Sequence, residues 1–317
     1  MIRTIANVIR GEGLASAVRR GAERIADGMR LRRLDDRGAT IRNVCGTPVA
    51  ARFGGVQAQL LTRLIEEQKL RPVSLTRGDV IHLEGYSNTS LHPAVISVHD
   101  FSFLEGNREL LQRARILIFP SRFLLEHYRQ ALALPDAEII EPGCIGDDAR
   151  GGERTAYAYA GSVKRHKGGH LLPEIIRRTG GTWHIFGGGD LELLLPLRRL
   201  ANVHVHGYYT NGSLSSLLRR HRVRRVVLPS IVPESFSLAL SECWRGGAAV
   251  AAFDHGAIAE RIRTHGGGWL APLEHGAEGL AAILRESPDT PIPSQVQTAS
   301  DAARQYIAMY TRLALLR

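Results

Sequence analysis

The chain has 317 residues, 44% of them apolar and 23% charged, which is enough for two ordinary domains and unlike a disordered or fibrous composition. No apolar run reaches the roughly 18–20 residues of a membrane span, and arginines interrupt Met1–Arg20 where a secretory signal would be apolar. The net charge of +10 favours acidic partners, but 38 of the 41 basic residues are arginine, so a GC-rich coding habit explains much of it and nucleic acid is a minor expectation.

Cys45, Cys144 and Cys243 lie about a hundred residues apart, without metal-ligand spacing and odd in number for disulfides. A reduced, cytoplasmic setting is expected. Met1–Leu34 carries a helical apolar period (Ile5, Val8, Ile9, Leu14, Val18, Ile25, Met29) broken at Gly11 and Gly13. Met1–Arg42 holds ten arginines against five acids. Residues 1–40 are therefore read as a basic helical arm, either packed on the body or lying on the inner, anionic face of the plasma membrane through residues 1–34.

From Arg42 onward short apolar runs alternate with amphipathic stretches. Strands are expected at Asp79–Leu83, Ala94–Val98, Ile116–Phe119, Ala156–Ala160, Trp183–Phe186, Val203–His206, Arg225–Leu228 and Ala248–Phe253. Helices are expected at Gly55–Gln68, Arg108–Arg113, Arg122–Ala133, Gly169–Arg178, Ser213–Arg222, Ser235–Arg245, Ile258–Arg263 and Ala299–Leu316. That alternation gives an α/β fold with parallel sheets. Glu141–Gly152, rich in glycine, reads as a linker. The expected domains are 41–150 with the C-terminal helix 299–317, and 151–298.

The strand Ala156–Ala160 runs into Gly161-Ser162-Val163-Lys164-Arg165-His166-Lys167-Gly168-Gly169 and then a helix. A glycine-flanked basic loop opening a helix offers backbone N–H groups, the positive helix end and ammonium groups to one anion, phosphate by preference. The spacing is not that of a Walker loop, and a basic surface turn is an equal reading. Farther on, Glu234 and Glu242 stand eight residues apart on the expected helix, which places them about 12 Å apart along its axis and about 80° around it. Two carboxylates so placed could hold hydroxyl groups of an extended ligand, with the N–H groups of Ser235–Ser237 facing a diphosphate between them. Each taken singly is more simply a dipole-complementing or solvated acid. His204 and His206 alternate on one strand, but no third metal ligand is evident beside them.

Five elements in order, Gly161 to Gly168, Ile185-Phe186-Gly187-Gly188-Gly189, Asn202 to Gly207, Leu228-Pro229-Ser230 with Glu234 and Glu242, and Asp254 to Glu260, closely resemble the donor-binding half of the retaining nucleotide-sugar glycosyltransferases of family 4. Gly54-Gly55-Val56, Asp79-Val80-Ile81-His82, Val98-His99-Asp100 and Ile118-Phe119-Pro120-Ser121, the last resembling the final strand of the first domain, extend a weaker likeness into the first half. The resemblance implies the GT-B fold, two Rossmann-like domains facing each other across a cleft. The N-terminal domain would be abbreviated, because Gly55 to Asp79 leaves room for little beyond a helix and Asn43–Phe53 is a poor strand.

By resemblance, Lys167 neutralises the donor diphosphate, Glu242 binds the ribose hydroxyls, and Glu234 is the acid near the transferred sugar. His99 reaches that sugar from the other domain, and Gly55 closes over the phosphates. Ser235, Phe236, Ser237 and Leu238 sit beside the phosphates, Gly187 in the glycine turn, and His206 and Tyr208 near the base. The family pattern has an arginine after the first loop glycine, where this chain has Ser162; Lys164 or Arg165 would supply the charge. The implied activity is retaining transfer of a sugar from UDP or GDP to a glycan or lipid-linked saccharide in bacterial surface polysaccharide synthesis, without a metal or other cofactor. A catalytically impaired nucleotide-sugar-binding module and a nucleic-acid-binding protein are the alternatives.

Overall fold

The computed structural model describes Val18, Arg37–Arg42, Pro48–Arg52, Arg71–Ser74, Val80–Glu84 and residues 95–315. The basic arm other than Val18 and Arg37–Thr40, the expected helix Gly55–Gln68 and Gly55 itself lie outside the described residues. Among those described, one compact unit is Cys144–Val296; the other takes the described parts of Ile25–Gly143 with Gln297–Arg317. The chain passes between units at Gly143 and again at Gln297.

The unit with the amino-terminal strands holds a seven-stranded sheet ordered β3-β1-β2-β4-β5-β6-β7. Its strands are β1 (Arg37–Arg42), β2 (Pro48–Arg52), β3 (Arg71–Ser74), β4 (Val80–Glu84), β5 (Val95–Ser97), β6 (Ile116–Phe119) and β7 (Asp136–Ile139). From β2 to β7 the neighbours are parallel, whereas β1 runs antiparallel to both β2 and β3. Three expectations are corrected here. β2 forms within the stretch read as a poor strand, and β3 occupies the interval before Asp79 that was thought to hold only a helix. β7 pairs outside β6, so Ile118–Phe119 does not close the sheet. Cross-strand pairing fixes these segments; their own apolar periodicity is weak, and β7 reads Asp-Ala-Glu-Ile. β1 also begins within residues 1–40.

One face of this sheet buries Ile96, Val98, Leu117 and Phe119 against Leu110, Leu111, Leu124, Leu125 and Tyr128 from the helices Arg108–Arg113 and Arg122–Ala131. The last helix, Ala299–Leu315, buries Ala302, Ala303, Tyr306, Met309, Tyr310 and Leu313, a stripe at helical spacing. Tyr306 Oη meets Ser97 Oγ at 3.1 Å, and Arg312 pairs with Glu138, so the chain's final segment completes the unit built by its first half.

The unit Cys144–Val296 is a doubly wound domain. Its six strands are β8 (Ala156–Ala160), β9 (Trp183–Phe186), β10 (Val203–Gly207), β11 (Val223–Leu228), β12 (Ala249–Phe253) and β13 (Gly268–Ala271). All pair in parallel, in the order β10-β9-β8-β11-β12-β13. This is the Rossmann arrangement, in which the chain winds outward to one side and then restarts beside its first strand. One face packs Ala158, Val226 and Val250 on Leu214, Leu240 and Trp244; the other packs Tyr159, Val227 and Ala251 on Leu172, Ile176 and Leu280. With both faces covered, β8 and β12 read as unbroken apolar runs and were legible for that reason. The fold class is α/β with Rossmann-like parallel sheets.

Candidate functional site

In a sheet of this order the crevice lies beyond the carboxyl ends of the two strands where winding reverses, β8 and β11. A cavity of about 210 Å³ occupies that place. Gly161 and Ser162 leaving β8, Leu228, Pro229 and Ser230 leaving β11, and Lys167, Glu234 and Ser237–Ala239 wall it.

The basic loop is held rigid by its own backbone. The carbonyl of Lys164 accepts from the N–H of Lys167 at 3.1 Å and of Gly169 at 2.9 Å, and Tyr159 Oη donates to the Ser162 carbonyl at 2.6 Å. Gly168 is left-handed (φ 74°), and a β-carbon there would lie 1.9 Å from the Pro229 carbonyl oxygen. Glycine is needed on both counts: the turn demands positive φ, and the β11 loop passes too close for any side chain. This contact brings Lys167 to the cavity wall, where its ammonium pairs with the Glu234 carboxylate.

Glu234 is fixed from behind. Its carbonyl accepts from Ala257 N–H at 2.9 Å, Gly256 (φ 68°) approaches its backbone closely, and the His255 ring bonds the Ser230 carbonyl at 2.7 Å. The segment Asp254–Glu260, noticed in the sequence only as part of a pattern, thus braces the loop that carries Glu234.

The expected helix Ser235–Arg245 begins instead at Leu238, so Glu234 lies in the preceding loop and the eight-residue helical geometry between Glu234 and Glu242 does not hold. Ser237 is the N-cap, with φ 80° and its Oγ accepting from Leu240 N–H at 3.4 Å. Positive φ at a non-glycine residue costs energy and persists only where the surroundings enforce it. Arg261 enforces it here: buried to 3% exposure, it donates to the Ser237 carbonyl at 3.0 Å and to Ser241 Oγ at 2.8 Å, and its guanidinium stacks 3.9 Å over Phe236. One arginine among so many carries no distinguishing signal in the sequence. The result puts the start of the helix, Leu238 and Ala239, on the cavity wall; the first N–H groups of a helix have no acceptor within it.

Ser162, Lys167, Glu234, Ser237 and Leu238 of the expected set therefore meet on one cavity. The others do not. Lys164 and Arg165 are exposed and lie off its wall; among the described residues the cation on the wall is Lys167. Gly187 lies beneath Gly161, whose carbonyl oxygen a β-carbon at Gly187 would meet at 1.7 Å. Phe236 is buried under Arg261, and Ser235 and Tyr208 lie off the wall. His99 belongs to the other unit, just past β5.

Glu242 is 3% exposed and absent from the cavity wall. Its Oε2 accepts from Leu214 N–H at 3.0 Å, capping the helix Leu214–Arg220. Burial pushes its pKa up to about 7, against the pull of the backbone N–H groups of Leu214 and Gly212.

His206 turns into a cluster of rings. Its Nε2 lies 2.9 Å from His184 Nδ1, and it stacks on Phe186 at 4.7 Å between centroids. His221, just beyond the helix Leu214–Arg220, is 4.5 Å from His206 and 4.6 Å from His184. Burial first, then the neighbouring histidines, lowers the His184 pKa to about 4. His184 and His221 are the neighbours that the sequence pattern of His204 and His206 could not supply, since they come from another strand and a helix end.

Residues 156–287 match the sequence model of a family described as glycosyl transferases group 1. No curated protein sequence matches the chain. Among solved structures, Anabaena Alr3699/HepE in complex with UDP and glucose is similar at 18% identity and a TM-score of 0.53, over 68% of this chain and 66% of that one. AviGT4, a glycosyltransferase involved in avilamycin A biosynthesis, is similar at 17% identity and 0.55, over 82% of this chain and 90% of that one. A glycosyltransferase from Rickettsia africae is similar at 13% identity and 0.56, over 81% and 80%. The chain thus spans just under two thirds of the length of the HepE structure. These likenesses give the fold, and the family match falls on the unit that carries the cavity.

Proposed function

We propose that the protein is a glycosyltransferase of the retaining type that takes a nucleoside-diphosphate sugar as donor. The observation that carries this reading is the cavity at the sheet's switch point, where the Lys167 ammonium and the amino-terminal end of Leu238–Arg245 converge. That pairing of a fixed cation with a helix start suits a diphosphate. It also suits catalysis, because charge builds on the departing diphosphate and a preorganised cation and dipole stabilise it without reorganising. Transfer then depends on positioning the acceptor on the face from which the diphosphate leaves, with retention of anomeric configuration.

Glu234, beside Lys167, is the candidate for contact with the transferred sugar, and His99 for a second contact. UDP is the first donor base to test, since HepE is similar in fold and its structures hold UDP; GDP is second. A glycan or lipid-linked saccharide of a bacterial surface polysaccharide is the proposed acceptor, with residues 1–34 touching the anionic membrane face. No metal is proposed to take part in transfer, so added Mg2+ or Mn2+ should leave turnover unchanged. Among the described residues no helix is long and apolar enough to cross a membrane.

The test is a thermal-shift panel of UDP, GDP, ADP, TDP and their sugar conjugates, followed by product analysis with the donor that binds. At a hundredfold excess over Kd a ligand adds about 2.7 kcal/mol of stability. A shift for one base supports the assignment, and an α-configured product from an α-linked donor supports retention; no shift with any nucleotide overturns both. Ser162, which leaves Lys167 as the wall's cation, favours a second reading, a donor-binding module with impaired transfer. Binding without turnover on any acceptor would establish it. Co-sedimentation with anionic liposomes that survives deletion of residues 1–33 would remove the membrane contact.

A further inference from the structure

A metal site is the strongest candidate that the transfer reading leaves unused. His184 stands on β9, His206 on the edge strand β10, and His221 just after the helix Leu214–Arg220. One ligand nitrogen from each lies within 4.8 Å of the other two, and His184 Nδ1 is 2.9 Å from His206 Nε2. Three nitrogens around a tetrahedral ion at about 2.0–2.1 Å sit about 3.3 Å from one another. The 2.9 Å pair and the 4.8 Å bound on the rest place the three nitrogens near that spacing.

The rings' surroundings suit this role. Phe186 lies nearly parallel to His206, at 13°, and fixes its plane. His184 is buried while His206 and His221 are half-buried, which gives a held ligand at the base and an entry path from solvent. Stacking alone would be served as well by phenylalanine or tyrosine, whereas imidazoles offer ring nitrogens that can ligate, two of which already face each other as His184 Nδ1 and His206 Nε2. An all-imidazole set suits Zn2+ and its late first-row neighbours and not Mg2+ or Ca2+.

We propose that His184, His206 and His221 bind one Zn2+-class ion, with water in the fourth position, and that the ion staples the edge strand β10 to β9 and to the end of Leu214–Arg220. The carboxyl end of β10 is where the Gly207 carbonyl accepts from Gly187 N–H at 2.8 Å, so the staple holds the strand whose end supports the glycine turn beneath Gly161. The site stands apart from the transfer reading and does not depend on it.

The test uses tag-free full-length protein, stripped with chelator and without nucleotide, titrated with ZnCl2 against a chromophoric chelator. One equivalent is expected to bind, and Zn2+ is expected to raise Tm. His221→Asn and His184→Phe should each weaken binding at least tenfold, while His204→Ala, outside the triad, should change it less than twofold. Equal binding by the wild type and a His184→Phe/His206→Gln/His221→Asn variant with unchanged Tm in chelator would overturn the site. So would a loss in His204→Ala equal to that in His221→Asn. If the triple variant does not fold, the Co2+ spectrum of the wild type decides: intense visible bands of a tetrahedral ion support the site, and the weak spectrum of hydrated Co2+ overturns it.

Discussion

Replacing Lys167 by methionine removes the wall's cation and leaves the Glu234 carboxylate, 17% exposed, alone in the same cavity. Two effects then act on a bound diphosphate. The lost charge-assisted hydrogen bond costs about 1.5–3 kcal/mol, which is roughly 10- to 150-fold in Kd. The stranded carboxylate adds repulsion: at about 6 Å and an effective dielectric near 20, one pair of unit charges interacts by about 3 kcal/mol, less after solvent screening. A double-mutant cycle separates them, read by calorimetric titration of UDP, which lacks the sugar that Glu234 is proposed to touch. Lys167→Met should weaken UDP by at least tenfold. Glu234→Gln should bind it as well as or better than the wild type, since Lys167 is released from its partner. The double variant should recover about fivefold or more over Lys167→Met. Wild-type affinity in Lys167→Met, or a double variant no better than the single, would refute the electrostatic reading of the cavity.

Gly168→Ala and Gly106→Ala both put a side chain at φ 74°, but only Gly168 would press a β-carbon on the Pro229 carbonyl oxygen, whereas nothing lies within 4 Å of one at Gly106. Gly168→Ala should lower Tm by clearly more than Gly106→Ala and also weaken UDP; equal shifts would deny the close approach. The Glu242 carboxyl, raised in the fold to about 7, favours the folded state fully below the unfolded value near 4.5 and loses that contribution as pH rises through 7. Chemical denaturation of the wild type and Glu242→Gln from pH 4.5 to 8 should therefore show the wild type losing about 3 kcal/mol relative to the variant, and a constant difference would contradict the burial argument. Arg261→Leu breaks the bonds to Ser237 and Ser241 and the stack on Phe236, so about 2 kcal/mol of stability should go, with weaker UDP binding as Ser237 relaxes. Retained UDP affinity would show that the helix start does not depend on Arg261.

The unbroken apolar runs of Ile116–Phe119, Ala156–Ala160 and Ala249–Phe253 determine their own strands, because a strand buried on both faces needs no partner to declare itself. The glycine-flanked basic loop was legible for a similar local reason, since Gly161, Lys167 and Gly168 stand together in the chain. Long-range contact decided the rest. β1, β2, β3 and β7 lack a self-sufficient pattern and take their form from pairing. The helix after Glu234 starts three residues late because Ala257, Gly256 and Arg261, more than twenty residues onward, hold the loop and Ser237 in place. That Glu242 accepts from Leu214 N–H at the start of a neighbouring helix was not legible, since burial and the Leu214 N–H are facts of packing. His184, His206 and His221 meet only after two parallel strands come into register and a helix ends beside them. Local composition can specify an element or a loop, but which side chains share a space is set by how the sheet is wound.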